Sequence, residues 1–287
     1  MKNSSKYTFT ASGYKVSSIE EASEISPATV SEIHHPQRSD RYSFLSTTKL
    51  IVKLQELGWE ITHVNQSGKS KFARHTIRMT HPSMKKLDLR HDDVMPQIII
   101  DNSHDGLTQA MIHMGIFRVI SKTGLIASVS GLSTSFKFKH IGLEGKEIEE
   151  LMAKISEQYS KLVPRILEMM NLQLSEEQKY DFAVKAIAAR EPWRFVKPTE
   201  DGKEILTDKI ERLNNIPEIL TSSRDSDKGD SLWQVFNVIH EKLVEGGYNR
   251  LSDKGRASKT RPIAIPSRNV GFNKELWGLA DSFISIQ

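Results

Sequence analysis

The sequence of 287 residues contains no cysteine. Disulfide bonds, thiolate nucleophiles and zinc or iron–sulfur sites built on cysteine are therefore excluded together. A chain without cysteine is compatible with a reducing compartment, and we expect the protein to be cytoplasmic. Its 38% hydrophobic and 26% charged residues are typical of a water-soluble globular protein.

Long apolar runs are also missing. No uncharged apolar stretch is long enough to cross a bilayer, and the first residues lack the apolar segment that follows the lysines of a secretory signal. We therefore expect no membrane partner and no secretion. The length fits one enlarged domain with appendages.

Several catalytic motifs are absent as well. The sequence has neither a Gly-x-Ser-x-Gly nucleophile elbow nor a His-Glu-x-x-His zinc motif. Gly68-Lys69-Ser70 resembles the end of a phosphate-binding loop, but His63 stands where that motif requires its first glycine. The residues thus support no ATP site and no other cofactor, and they favour a protein that is not an enzyme.

The net charge of +4 hides a strong segregation of charge along the chain. Residues 69–90 and 250–274 each carry seven basic residues and one aspartate, a net charge of +6 per segment, so the rest of the chain sums to −8. Clustered cations release counterions from phosphates, whereas an acidic remainder limits non-specific binding. This pattern suits a polyanionic partner; two solvated basic loops are the alternative interpretation.

A strand predicted from Phe72 to Thr80 favours the interpretation that the partner is a polyanion. Alternation would place Phe72, Arg74 and Arg78 on one face and a core-like set that includes Ile77 and Met79 on the other. Single-strand binders combine such cations, which contact phosphates, with a ring that stacks on bases; an ordinary exposed sheet face is the alternative. The candidate nucleic-acid-binding residues are Lys69, Lys71, Phe72, Arg74, Arg78, Lys85 and Lys86, together with Arg250, Lys254, Arg256, Lys259, Arg261 and Arg268.

Hydrophobic periodicity predicts an α+β fold. We expect an antiparallel or mixed sheet of about five strands, backed by helices and followed by a helical C-terminal part. Helix signals include an N-cap at Ser46 with Gly58 at the other end, a capping box at Ser175, and Pro164, which predicts a kink or break near Ser160. The predicted divisions are a flexible N-terminal arm (1–38), an α+β core domain (39–192), an irregular connection (193–230), and a helical pair with a basic loop (231–287).

A polar cluster follows the apolar run at residues 98–100. Asp101, Asn102, His104 and Asp105 offer an imidazole beside two carboxylates, which could bind a divalent metal or position a water molecule for phosphodiester hydrolysis. Asn, Asp and Gly also form tight turns through hydrogen bonds to local backbone. One histidine and two aspartates on a turn fall short of a complete metal shell, so the structural turn is the favoured interpretation.

Three tryptophans lie on helical or helix-adjacent apolar patterns. We predict that Trp193, Trp233 and Trp277 are packing anchors rather than base-stacking platforms.

Four ordered stretches resemble the phage- and plasmid-like protein family known as domain of unknown function nine hundred and thirty-two. The likeness covers residues 40 to 285, with Thr123 where the family pattern has an asparagine. The resemblance implies a phage, prophage or plasmid context with an accessory role in DNA metabolism or counter-defence, and it implies no established reaction. The stretches are Arg41–Phe44 with the helix ending at Gly58, Pro96–Gly106, Gly115–Val119 running to Leu125, and Leu232-Trp233 through Gly246-Gly247 to Leu276-Trp277.

Charge, strand pattern and resemblance together favour a nucleic-acid-binding protein. We expect it to bind or anneal single-stranded DNA in recombination, replication or repair, without a cofactor, and in the form of a homo-oligomer. Two alternatives stay open: a counter-defence protein that docks onto a host protein, and a metal-dependent nuclease that uses residues 101–105.

Overall fold

The structure is a computed structural model that describes residues 6–10, 13–37, 45–81, 87–89, 92–107, 110–118, 124–125, 135–137, 145–201, 203–207, 213, 215–251, 256–263 and 265–285. The chain divides into two compact units. Unit 1 comprises Met1–Val163 and Ala264–Val270, and unit 2 comprises Pro164–Ile263 and Gly271–Gln287. In the described part of the chain, no helix is both long and apolar enough to cross a membrane.

Unit 1 contains an antiparallel sheet in which nine strands are described. Its central order is β2-β3-β4-β6-β7, and short strands extend it at both sides. The strands are β1 Phe9–Thr10, β2 Gly13–Lys15, β3 Glu60–Gln66, β4 His75–Thr80, β5 Leu87–Leu89, β6 Asp92–Asn102, β7 Met111–Arg118, β8 Gly124–Leu125 and β9 Ser135–Lys137. The predicted α+β class with an antiparallel sheet is confirmed, and the sheet exceeds five strands because short edge strands join it.

The centre of the sheet is covered on both faces. Side chains at all six positions of β4 are buried, and so are Ile98, Ile99 and Ile100 of β6. The apolar run of β6 therefore behaves as predicted, because a strand buried on both faces needs apolar side chains on both.

Two helices of unit 1 precede the long strands: α1 Ile19–Ile25 and α2 Thr47–Glu56. The Ser46 hydroxyl accepts a hydrogen bond from the backbone N–H of Lys49, as an N-cap should. Gly58 follows the last turn of α2 with φ of +88°, a left-handed conformation that favours glycine. The sequence thus predicted both ends of this helix.

The prediction of a flexible arm over residues 1–38 is wrong for its described part. Strand β2 pairs with β3, and Ala22, Ser26 and Ala28 are fully buried. The Gln66 side-chain oxygen accepts hydrogen bonds from Ser26 Oγ at 2.8 Å and from the Ala28 backbone N–H at 3.0 Å. The sequence pattern missed this docking because β3, which provides these contacts, lies about 40 to 50 residues further along the chain.

The long helix α3, Gly145–Asn171, is hydrogen-bonded to the sheet through Tyr159. The hydroxyl oxygen of Tyr159 lies 2.6 Å from the carbonyl oxygens of Gln97 and Gly115 and accepts from the Gln97 backbone N–H at 2.9 Å. It thereby bonds to neighbouring strands β6 and β7. The helix runs without interruption through Pro164, so the predicted break is not found.

Unit 2 is mainly helical and carries two hairpins. The capping boxes at Ser175 and Ser231 are both formed. The predicted helical C-terminal part is confirmed, whereas residues 193–230 are more regular than the irregular connection we expected. The elements are α4 Glu176–Arg190, α5 Pro192–Phe195, β10 Val196–Pro198, β11 Glu204–Leu206, α6 Ile216–Leu220, α7 Leu232–Glu245, β12 Asn249–Leu251, β13 Ala257–Lys259 and α8 Pro266–Ser285.

Candidate nucleic-acid interface

Three segments of unit 1 meet where β4 begins and β6 ends. The backbone N–H of His35 donates to the carbonyl of His104 at 2.8 Å, and the N–H of His104 donates to the carbonyl of Phe72 at 3.0 Å. We call residues 33–35, 69–74 and 103–107 the turn platform. It joins the N-terminal segment, the first basic segment and the polar turn, which the sequence had presented as three separate features.

The surface of the turn platform combines cations with apolar side chains. Lys69 and Lys71 are exposed, and the Lys71 Nζ lies 5.3 Å from the centroid of the Phe72 ring. The ring of His35 meets that of Phe72 edge-on at 5.0 Å. Leu107 is 76% exposed, the largest exposed fraction among the large hydrophobic residues that the structure describes. Rings and alkyl groups beside mobile cations are the chemistry that contacts bases and phosphates of a single strand.

An ion pair lies beneath this surface. The fully buried carboxylate of Asp101 accepts from Arg74 Nε at 2.8 Å and from Arg74 Nη2, and the Nε2 of buried His113 lies 3.6 Å away. Burial alone would raise the pKa of Asp101, but Arg74 and His113 outweigh it and hold the pKa below its usual range. Arg74 is therefore committed to a carboxylate on the inner side of the platform.

Buried histidines continue the polar layer below the platform. His75 Nε2 lies 2.9 Å from Thr47 Oγ1, and the Asn102 side-chain N–H donates to the same oxygen at 2.9 Å. His104 Nε2 lies 2.9 Å from the carbonyl oxygen of Ala28. Burial lowers the pKa of His75 to about 4 and also lowers the pKa of His104. These imidazoles are neutral at physiological pH and tie α2 and the N-terminal segment to the sheet.

The tight turn predicted after Asp101 is formed. Asp105 Oδ1 accepts from the backbone N–H of Leu107 at 2.9 Å and from Ser103 Oγ at 2.7 Å. Gly106 adopts φ of +69°. Asn102 and His104 also bond to distant backbone, at Leu45 and Ala28 respectively. The polar cluster is thus a turn that also anchors neighbouring segments.

The turn gives a direct stability prediction. We expect Asp105→Ala to lower the free energy of unfolding by about 1 kcal/mol, because one acceptor of two local hydrogen bonds is lost near the surface. Urea unfolding followed by circular dichroism measures the change. Asp105→Asn, which keeps one acceptor oxygen, should recover part of the loss; an unchanged midpoint for Asp105→Ala would contradict the structural role.

The predicted strand face at residues 72–80 is wrong. Strand β4 begins only at His75, so Phe72 lies on the preceding turn. Arg78 is buried, where its Nη1 donates to Gln97 Oε1 at 2.8 Å and its Nη2 to Asn269 Oδ1 at 3.2 Å. Burial lowers the pKa of Arg78 to about 10. Asn269 lies on α8, in the part that belongs to unit 1, and Arg78 is only 4% exposed, so Arg78 cannot contact a phosphate at the surface.

The second basic segment forms an exposed hairpin in unit 2. Strands β12 and β13 pair from Asn249↔Lys259 to Leu251↔Ala257. Arg256, Lys259 and Arg261 are exposed, whereas Arg250 Nη1 donates to Glu191 Oε1 at 3.0 Å. Arg268, in the part of α8 that belongs to unit 1, is also exposed. Lys85, Lys86 and Lys254 lie outside the described residues.

The backbone before this hairpin requires a glycine at residue 246. Gly246 adopts φ of +73°, and a Cβ there would lie 2.7 Å from the backbone carbon of Arg261. The backbone at Arg261 thus lies too close to residue 246 for any side chain there.

Metal coordination has no support in the polar cluster. Both oxygens of Asp101 already accept from Arg74. Among the residues that the structure describes, no three His, Asp or Glu side chains are grouped so that they could hold a metal ion.

The tryptophan prediction holds for two residues of three. Trp233 and Trp277 are buried, as predicted for packing anchors. Trp193 is 64% exposed, so its prediction is wrong. Its short helix α5 leads straight into the hairpin β10–β11 rather than into the helical core of unit 2.

Sequence reasoning missed His35, Leu107 and His113 as members of this region. No local pattern marks His35, because it meets Phe72 and His104 only through the pairing of distant segments. No local pattern shows that Leu107 is exposed at the surface of the turn platform. His113 lies on β7, directly opposite Ile99 of β6. The one sequence signal for this position is the alternation of polar His113 with apolar Ile112 and Met114, which is typical of a strand.

The fold and the platform define an α+β protein with an antiparallel sheet and with exposed basic residues in each of its two units. The chain belongs to the family described as Domain of unknown function (DUF932), which matches residues 34–277. It is 25% identical to the UPF0380 protein YafZ of Escherichia coli (strain K12) over 271 residues, which cover 93% of this chain and 91% of the relative. It is 24% identical to the UPF0380 protein YfjQ of the same organism over the same shares. No solved structure matches the chain.

Proposed function

We propose that the protein binds single-stranded nucleic acid through the turn platform and the basic hairpin β12–β13. The proposal rests on the exposed turn of Lys69, Lys71 and Phe72. The neighbouring turn, which bears exposed Leu107, is bonded to it from the His104 N–H to the Phe72 carbonyl. Cations on flexible stems can follow a phosphate backbone, and a partly exposed ring offers a face for a base. The role we propose is binding or annealing of single strands in the cytoplasm, in the recombination, replication or repair of a phage or plasmid.

The structure changes which residues should carry binding. Arg74 and Arg78 are engaged in the interior, so their replacement would test stability rather than binding. Lys69 and Lys71 in unit 1, and Arg256, Lys259 and Arg261 in unit 2, project from exposed turns and strands. These five side chains are the phosphate contacts of the proposal, and Phe72 is its stacking residue.

Fluorescence anisotropy with a labelled oligothymidylate across a salt series tests the proposal. We expect binding that weakens steeply with salt, and Lys69→Gln combined with Lys71→Gln should flatten the log–log slope by about 1.4, at about 0.7 per lost phosphate contact. Phe72→Ala should weaken binding by about 1–3 kcal/mol with little change in slope. The two variants therefore separate charge from stacking.

Matched controls keep this test specific. Lys53→Gln removes an exposed lysine of α2 that pairs with Glu56 away from the platform, and it should leave affinity and slope unchanged. An unlabelled duplex of the same length should compete more weakly than the single strand. If folded protein shows no binding at low salt, nucleic acid is not the partner, and docking onto a host protein becomes the leading alternative.

A further inference from the structure

The hairpin β10–β11 of unit 2 exposes apolar side chains on both of its faces. Its register places Leu206 across from Val196 and Ile205 across from Lys197. Residues directly opposite share a face, so Ile205 and Leu206 point to opposite sides. They are 44% and 42% exposed respectively. A hairpin that only packed onto its own unit would bury one of these faces.

Backbone geometry shows which edge of the hairpin is open. Thr199 N donates to the Lys203 carbonyl at 2.7 Å, and Thr207 N donates to the Phe195 carbonyl at 2.8 Å. Lys203 and Thr207 thus direct these backbone groups toward β10. Because the direction of the backbone N–H and C=O groups alternates along an antiparallel strand, those of Ile205 also face β10, and those of Glu204 and Leu206 face away from it. Within the described residues, β11 has no second neighbour to receive them.

The opposite edge of the hairpin is blocked. Pro198 lies across from Glu204, so its ring occupies the outward position where another residue would present an N–H. Proline cannot donate to a further strand, and Lys197 beside it adds a charge, both of which are common protections of edge strands. Only β11 offers a usable edge, and it has neither protection at Ile205 or Leu206.

We propose that β11 pairs with β11 of a second copy of this chain, which joins two hairpins into a four-stranded antiparallel sheet. A two-fold axis at Ile205 would place Glu204 of each copy opposite Leu206 of the other, so both outward residues exchange their backbone hydrogen bonds. The two Ile205 side chains would then meet as a close apolar pair on one face.

Local charge favours a second copy over a polyanion at this surface. The hairpin carries Lys197 and Lys203 together with Glu200, Asp201 and Glu204, and Lys203 Nζ pairs with Asp201 at 3.1 Å. This mixture has no excess of cations to attract phosphates, and the two-fold pairing opposes no like charges on β11. Pairing through β11 therefore does not depend on nucleic-acid binding. A dimer would nevertheless carry twice the number of basic hairpins, which would raise its avidity for a long strand.

The absence of cysteine allows a clean trapping experiment. Ile205→Cys creates a single thiol, and directly opposed residues of a non-hydrogen-bonded pair have Cα atoms about 4.5 Å apart, within disulfide range. We expect mild oxidation to convert Ile205→Cys to a covalent dimer much faster than Val52→Cys, a matched control at an exposed apolar position of α2. Equal rates for the two variants would overturn the proposal.

A second variant tests the backbone pairing. Leu206→Pro, introduced beside Ile205→Cys, removes the outward N–H but no hydrogen bond to β10, so it should abolish the fast cross-linking. A cross-linking rate that Leu206→Pro leaves unchanged would reject strand pairing.

Sedimentation velocity measures self-association of the unmodified chain, so the result does not depend on a variant hairpin that folds incorrectly. The unmodified chain should show a sedimentation coefficient that rises with concentration, because so short an interface gives a weak dimer. Ile205→Lys should remain a monomer because it opposes two cations, and Val52→Lys should behave like the unmodified chain. A chain that stays monomeric at all concentrations rejects the second copy and leaves an extended segment of another protein as the occupant of β11.

Discussion

Replacing Asp101 by Asn should lower the free energy of unfolding by about 3 kcal/mol, because it removes one partner of a buried ion pair and leaves the charge of Arg74 uncompensated. Asp101 is fully buried between β4 and β7, so no water can replace the lost carboxylate. The side chain of Arg74 is 29% exposed, which places the loss at the lower end of the range for buried pairs. Urea unfolding at neutral pH gives the value.

The double-mutant cycle makes this prediction specific to the pair. Arg74→Met should also destabilise, since it leaves a buried carboxylate without its cation. The double variant should lose less than the sum of the two single variants, because neither unpaired charge remains. Glu56→Gln, which removes an exposed ion pair with Lys53, should cost less than about 1 kcal/mol. Additive losses in the cycle would show that Asp101 and Arg74 do not act as a pair.

The second large effect is an early loss of stability in acid. Burial lowers the pKa of His75 from 6.5 to about 4 and that of His63 from 6.5 to about 3, with a further contribution from the charge of Arg78. Between pH 6.5 and 4 the unfolded chain therefore binds more protons than the folded protein. Stability is fully present above the pKa of the unfolded histidines and falls as the pH drops through this window.

The slope of stability against pH measures the effect. Each buried neutral histidine should contribute up to about 1.4 kcal/mol per pH unit within the window. His75→Gln, which cannot gain a proton, should reduce the slope by about one histidine's contribution even if it lowers stability at neutral pH. A variant with the slope of the unmodified chain would show that His75 is not the titrating group. The carboxylate of Asp101 adds to the loss only at lower pH, because its pKa lies below its usual range.

The two basic segments differ in how the fold uses them. In the first, Arg74 and Arg78 stabilise the interior and only Lys69 and Lys71 among the described cations project from the platform. In the second, four of the described cations are exposed, and Arg250 pairs with Glu191. Formal charge along a sequence therefore overstates the charge that a folded surface offers to a phosphate backbone.

Local signals by themselves determined helices α2, α4 and α7 and the central strand of this protein. Ser46 and Gly58 bound α2, and the capping box at Ser175 begins α4. The predicted C-terminal helical part begins at residue 231, where α7 starts, and the apolar run at 98–100 forms the buried centre of β6. These features depend on hydrogen bonds and side-chain patterns within a few residues, which is why one sequence suffices to predict them.

Only the tertiary structure decided which polar residues are exposed. The sequence pattern of an alternating strand is the same whether one face of the strand or both are covered. The sequence therefore could not show that Arg78 is buried or that Arg74 pairs with Asp101. The docking of residues 13–37 onto β3, which assembles the turn platform, likewise depends on contacts between distant segments. Burial is a property of what packs against a strand, and those neighbours lie far away in the chain.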